Sequence, residues 1–136
     1  MQWSSQPRAG FTTGEPWLPI AEDFRDVNVE AQRDHPRSML TLYRRLLDLR
    51  RGEPALEVGR FEPVESASDV LAYVRRGREG ESAFLVALNL GAAPQAMKIA
   101  HEGRVALSTH LDRAGERASR TLELRPDEGV IVRLES

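Results

Sequence analysis

The chain has 136 residues and a formal net charge of −2, so no strong overall charge attracts it to nucleic acid or to an anionic membrane. Its length and its 40% hydrophobic content are typical of one globular domain, or of one domain joined to part of another. It contains no cysteine, which excludes disulfides and thiolate chemistry, and no apolar run approaches the roughly 20 residues that span a bilayer.

The first 37 residues are predicted to form a long loop. They contain Pro7, Pro16, Pro19 and Pro36 and show no sustained apolar period. Structureless loops longer than about 15 residues are uncommon inside compact domains. The segment is therefore expected either to be functional or to belong to a larger structure.

An amphipathic helix is predicted from about residue 36 to residue 51. Pro36 suits the first helical turn, where no amide hydrogen is needed, and Gly52 with Pro54 provides a stop signal. Apolar residues recur with helical spacing on one face of this segment. That face consists of Met39, Leu42, Tyr43, Leu46 and Leu49.

From residue 56 onward the pattern changes to short strands separated by turn residues. A hairpin-like connection at residues 77–80 links the first two strands, and the strand at 83–88 is apolar on both faces, which predicts a central position in a sheet. Strands at this spacing, without helices between them, predict an antiparallel sandwich. The predicted strands are 70–74, 83–88, 95–99, 105–109, Thr121–Leu124 and Gly129–Leu134.

Residues with the potential for catalysis or metal binding are scattered. His35, His101 and His110 lack the short spacings that preorganise a metal site, so no metal and no cofactor are expected. Ser108, His110 and Asp112 contain the residue types of a hydrolytic triad. However, no Gly-x-Ser-x-Gly elbow places the serine on a strained turn, and solvated loop residues are the simpler interpretation.

Five short motifs occur in a characteristic order in the first part of the chain. In this order they resemble the stretch after the eighth barrel strand in α-glucosidases of the α-amylase superfamily. The pattern is similar to that of oligo-1,6-glucosidases, dextran glucosidases, sucrose isomerases and trehalose synthases. The motifs are Met1-Gln2-Trp3, Ala9-Gly10-Phe11-Thr12, Pro16-Trp17-Leu18-Pro19, Val27-Asn28-Val29-Glu30-Ala31-Gln32 and residues 38–51.

The resemblance implies a mainly β fold in two parts. Residues 1–53 correspond to the last loop and the amphipathic helix of a (β/α)8 catalytic barrel, and residues 54–136 to a C-terminal antiparallel β-sandwich that stabilises the barrel. The chain departs from the family where His35 precedes Pro36 in place of an aspartate, so the nearby Asp34 is expected to supply any helix-capping oxygen.

The resemblance also implies a function, that of a retaining α-glucosidase acting on α-linked gluco-oligosaccharides. The catalytic carboxylates of that family lie upstream of this stretch, so the chain alone is expected to be an inactive fragment without catalytic residues. Loops at this end of a barrel form the rim of the active site. Trp3, Phe11 and Trp17 are therefore candidate substrate-binding residues, with the alternative that they anchor the loop against the barrel.

The expected partners are the catalytic barrel of the parent enzyme and, in the intact enzyme, an α-gluco-oligosaccharide. Neither nucleic acid nor a membrane is expected, and self-association through the apolar helix face is expected where the barrel does not cover it. The segment 1–5 has neither a basic nor an apolar character typical of a secretory signal, so a cytoplasmic location is expected.

A different class of function remains open, a stand-alone β-sandwich module that binds carbohydrate or another partner. Such a module needs an exposed aromatic platform on its strands. The predicted sandwich offers Phe61, Tyr73 and Phe84 for this role, and Phe84 lies in the most apolar strand.

Overall fold

The computed structural model describes residues 1–67 and 69–135. The chain divides into two compact units, Met1–Arg44 and Arg45–Ser136. Within the described residues no helix combines the length and the hydropathy needed to cross a membrane.

The first unit contains more regular structure than the predicted loop. A 3₁₀ segment covers Pro7–Gly10, helix α1 covers Val29–Arg33, and the long helix α2 begins at Met39 and ends at Gly52 in the second unit. Helix α1 is only five residues long, too short for a periodic signal in the sequence or for stability on its own. It is stabilised instead by the buried Asn28, whose Oδ1 accepts a hydrogen bond from the amide of Ala31 at 2.9 Å.

Helix α2 begins at Met39, three residues later than the predicted start near Pro36. The reason is Ser38, whose Oγ accepts a hydrogen bond from the amide of Thr41 at 3.1 Å while its carbonyl accepts one from the amide of Leu42 at 2.9 Å. These bonds identify Ser38 as the capping residue. The expected capping by Asp34 is wrong, because Asp34 terminates helix α1.

The second unit is an antiparallel β-sandwich, as the sequence predicts. A short helix α3 covers Pro54–Val58, and the strands that follow are β1 Arg60–Val64, β2 Val70–Arg76, β3 Ala83–Asn89, β4 Gln95–Lys98, β5 Gly103–Ser108, β6 Arg117–Ala118, β7 Thr121–Leu124 and β8 Gly129–Leu134. All six predicted strands are present in the described part of this unit, together with two further strands, β1 and β6. One sheet has the strand order β1-β2-β3-β8-β5-β6, and a second sheet pairs β4 with β7.

The hydrophobic core lies between the two sheets. Alternate side chains of each strand point into it, as the period of two along a strand requires. On the central strand β3, Leu85 and Ala87 belong to this core, whereas Phe84 is buried on the opposite face of the sheet. The core consists of Val70, Ala72, Val74, Leu85, Ala87, Met97, Val105, Ala118, Leu122, Leu124, Val130 and Val132.

Candidate functional site

Three exposed aromatic side chains mark the N-terminal part of the first unit, here called the aromatic loop (residues 1–20). Trp3, Phe11 and Trp17 are 49%, 57% and 88% exposed. Side chains of this size are usually more buried in a soluble protein. Their exposure therefore marks this loop as a surface that can contact a ligand or another part of a protein.

The aromatic loop has a defined backbone between Trp3 and Phe11. Its turn is closed by the carbonyl of Ala9, which accepts hydrogen bonds from the amides of Trp3 at 2.9 Å and Ser4 at 3.1 Å. Arg8 and Ala9 both have positive φ, of 58° and 54°, a conformation that costs a residue with a side chain on the order of 1 to 2 kcal/mol. Strained turns of this kind concentrate at functional sites.

The polar residues of the recognised motifs have structural roles. Gln2 donates from Nε2 to Oδ1 of Asp23 at 3.2 Å, and its carbonyl accepts from the amide of Val29 at 2.9 Å, where helix α1 begins. Gln32 uses Oε1 to accept from the amide of Leu40 at 3.0 Å, where helix α2 begins. The backbone of Gln2 and the side chain of Gln32 thus stabilise the two helix starts, whereas the aromatic side chains of the motifs are exposed.

A second notable site lies in the sandwich, where charged side chains surround a fully buried carboxylate, Glu128. Its Oε2 accepts hydrogen bonds from Arg113 Nη1 at 3.0 Å and from the backbone amide of Arg125 at 2.9 Å, and its Oε1 accepts one from Arg125 Nη2 at 2.6 Å. Asp112 binds the guanidinium of Arg125 through both oxygens, and Glu116 binds that of Arg113. We call these five residues the glutamate cluster.

The ionisation of the glutamate cluster follows from these contacts. Burial of Glu128 opposes its charged form, but the hydrogen bonds from Arg125 and the positive charges of Arg113 and Arg125 outweigh burial, so the pKa of Glu128 lies below its ordinary value. The hydrogen bond from Arg113 likewise lowers the pKa of Glu116. The cluster is therefore a set of ion pairs at neutral pH, linking the β7–β8 turn to the β5–β6 connection.

The residue types of a triad do not assemble into one. Ser108 Oγ donates directly to Asp112 Oδ1 at 3.3 Å, and Nδ1 of His110 lies 3.7 Å from Oε1 of Glu128. In a triad the histidine stands between the hydroxyl and the carboxylate. Among residues 1–67 and 69–135, moreover, no group of three histidine or carboxylate side chains is placed to hold a metal ion.

A shallow groove of about 610 Å³ borders the glutamate cluster, and its described lining includes Gln95, Glu123 and Leu124. The guanidinium groups of Arg113 and Arg125 also line it, but both are engaged with carboxylates. No aromatic side chain belongs to the described lining. The groove thus offers neither an unpaired cation for an anionic ligand nor a ring for stacking against a sugar.

Comparison with known proteins shows which family the first part of the chain is similar to. Residues 1–59 match the Alpha amylase, catalytic domain family. Together with the glucan 1,6-alpha-glucosidase and oligo-1,6-glucosidase relatives, this match confirms the resemblance to α-glucosidases of the α-amylase superfamily.

Individual relatives extend the similarity beyond these residues. The glucan 1,6-alpha-glucosidase of Streptococcus pneumoniae serotype 4 is 34% identical over 77% of this chain and 19% of its own length. The mouse amino acid transporter heavy chain SLC3A1 is 32% identical over 97% of this chain and 21% of its own length. The crystal structure of trehalulose synthase from Pseudomonas mesoacidophila MX-45 superimposes with a TM-score of 0.88 and 29% identity, covering 98% of this chain and 24% of that one.

The chain thus spans only 19% to 24% of the length of these relatives. This region is thus similar in sequence to a glucosidase and to a transporter heavy chain, and similar in structure to a trehalulose synthase. The similarity therefore establishes the architecture, and the activity of the whole protein is a matter for proposal.

Proposed function

We propose that the chain forms the C-terminal part of a glycoside hydrolase of the α-glucosidase type that acts on α-linked gluco-oligosaccharides. The observation that carries the proposal is the match of 98% of the chain, loop, helices and sandwich together, to 24% of a solved trehalulose synthase. The match includes the loop, the helices and the sandwich. This combination is expected at the end of such an enzyme, where the last loop and helix of the barrel precede the sandwich.

In this proposal the sandwich stabilises the catalytic barrel. Twelve buried residues among those described form its own core, which supports independent folding. Helix α2 presents exposed apolar side chains, among them Met39, Tyr43 and Leu46, and these support a partner surface supplied by the barrel.

We further propose that the catalytic carboxylates lie outside this chain. A retaining glycosidase needs two carboxyl groups about 5 to 5.5 Å apart that both reach the scissile bond. Glu128, the one fully buried carboxylate among the described side chains, has both oxygens occupied by Arg113 and Arg125 and no exposed surface. This geometry suits a structural ion pair and not a nucleophile.

We assign Trp3, Phe11 and Trp17 to the rim of the sugar site in the intact enzyme. Their exposure and the strained turn at Arg8 and Ala9 support this role, because sugar rings stack on exposed aromatic faces. In the intact enzyme, Trp17→Ala should raise KM for an oligosaccharide by about tenfold, worth about 1.4 kcal/mol, with little change in Tm. A lowered Tm with unchanged KM would instead support the anchoring role.

The alternative, a stand-alone β-sandwich module that binds carbohydrate or another partner, has one observation in its favour. A transporter heavy chain, whose name is not that of a hydrolase, is similar in sequence over 97% of this chain, and this similarity supports a role other than hydrolysis. Against it, Phe84 is buried, and Phe61 and Tyr73 are tilted by 35° with ring centroids 4.9 Å apart, a poor flat platform.

A turnover assay tests the proposed assignment of the catalytic groups. The purified chain should not hydrolyse an aryl α-glucoside, maltose or isomaltose, because a positioned pair of catalytic carboxylates is required. Turnover that co-purifies with the chain and is abolished by a single substitution such as Glu116→Gln or Asp112→Asn would overturn the proposal.

A further inference from the structure

Helix α3 lies against the outer face of the large sheet, where it contacts β2 and β3. It has only five residues, and a helix of this length is not stable without tertiary contacts. Ala55 is buried at this contact. The chain leaves the helix at Gly59. A Cβ atom at this position would lie 2.2 Å from the carbonyl oxygen of Ala55 and 2.8 Å from that of Arg76. These distances are too short for any side chain, so the backbone can pass here only as glycine.

Two arginines flank the buried ring beneath this helix. Phe84 on β3 stands directly opposite Arg75 on β2 and opposite Arg133 on β8. The guanidinium carbon of Arg133 lies 4.9 Å from the centroid of the Phe84 ring, which is within the range of a cation–π interaction. The aliphatic stems of long cationic side chains also cover apolar surface. Phe84 is thus enclosed between two cations on the outer face of the sheet.

Both arginines reach from the sheet to the segment that contains helix α3. Arg133 donates from Nη2 to Oε1 of Glu53, the residue before the helix, and from Nη1 to Oγ of Ser82 at 2.9 Å. Arg75 donates from Nε to the carbonyl of Ala55 at 3.2 Å and from Nη2 to the carbonyl of Glu57 at 3.4 Å. These carbonyls lie near the end of a short helix, where intrahelical partners are missing.

We propose that Arg75, Arg133 and Glu53 form a clamp that fastens the end of helix α2 and the whole of helix α3 to the sheet. With the clamp closed, residues 53–59 open only when the large sheet opens. One part of the proposal rests on the proposed function: if helix α2 is the last helix of a catalytic barrel, the clamp couples the end of that helix to the sandwich. The clamp itself is a property of this chain.

Hydrogen exchange of the full chain, read peptide by peptide, tests the clamp. Glu53→Gln keeps the size of the side chain and removes its charge, and Arg133→Met keeps the stem over Phe84 and removes the guanidinium. Each variant should raise the exchange rate of residues 53–59 by at least tenfold, while strand β3 changes by less than threefold. The matched control is Glu102→Gln, which removes an arginine–glutamate ion pair to Arg117 elsewhere in the second unit, and it should change the exchange of residues 53–59 by less than twofold.

Two results would overturn the clamp. In the first, residues 53–59 exchange within twofold of the wild-type rate in both variants. In the second, their exchange and that of β3 rise by the same factor, which would show only a general loss of stability. If Arg133→Met does not fold by circular dichroism, the milder Glu53→Gln decides the question. Since the measurement involves no sugar and no barrel, it stands or fails independently of the proposed glycosidase function.

Discussion

Replacement of Phe84 by alanine should be among the most destabilising single changes in the sandwich. Phe84 is 0% exposed, so the substitution loses the transfer free energy of a whole buried ring, about 1.5 to 3 kcal/mol. It also leaves a cavity and removes the contact with Arg133, worth on the order of 0.5 to 1 kcal/mol. The sum agrees with the roughly 3 to 5 kcal/mol typical of Phe→Ala in a core.

The matched control is Phe61→Ala, because Phe61 is 54% exposed on the edge strand β1. It should cost less than about 1.5 kcal/mol, mainly the ring contact with Tyr73. Unfolding in urea should be followed by circular dichroism, since both tryptophans, Trp3 and Trp17, lie in the first unit and neither belongs to the sheet.

At an m-value of about 2 kcal/mol/M, Phe84→Ala should lower the urea midpoint by roughly 1.5 to 2.5 M. A loss below about 1 kcal/mol, or a loss equal to that of Phe61→Ala, would contradict a structural role for the buried Phe84 ring. Either result would mean that the outer face of the sheet is peripheral to the stability of the sandwich.

Two further predictions concern the glutamate cluster and helix α2. Because the pKa of Glu128 is lowered on folding, its stabilisation is fully present above the ordinary glutamate pKa of about 4.3 and is lost as the pH falls through the lowered value. Glu128→Gln should therefore lower the free energy of unfolding by about 3 to 5 kcal/mol at pH 7 in urea titrations. At pH 3 the difference from the wild type should be smaller. A difference that does not depend on pH would contradict the ion pairing of Glu128. The exposed apolar face of helix α2 should make the isolated chain dimeric or larger in sedimentation experiments. Leu42→Glu combined with Leu46→Glu should restore a monomer. A wild-type chain that is already monomeric would contradict this second prediction.

The strands with strong apolar patterns could be predicted from the sequence, and the weakly patterned elements could not. Strand β1 contains Pro63 and alternates poorly, features that are tolerated because it lies at the edge of the sheet. Strand β6 has only two residues, and helices α1 and α3 have five each, so none of them produces a periodic signal. These elements form because the tertiary structure supplies their partners.

The candidate sites show the same division. The motif order led to Trp3, Phe11 and Trp17, and the structure places all three at the surface. The burial of Glu128 could not be foreseen, since glutamate is almost never fully buried unless it is paired, and its partner Arg113 is 15 residues away in the chain. The clamp at Arg133 was hidden for the same reason, because Glu53 lies 80 residues earlier. The local pairs of the cluster are Arg125 with Glu128 and Arg113 with Glu116, each three residues apart.

The most direct test of the central claim is to identify the natural polypeptide that carries this sequence. An antibody raised against the sandwich would capture the protein from the cells that express it, and peptide mass mapping would define the whole polypeptide. We expect peptides of an α-amylase-type catalytic barrel N-terminal to this sequence within the same polypeptide. Recovery of a single 15.2 kDa chain, with no barrel peptides in the same polypeptide, would contradict it.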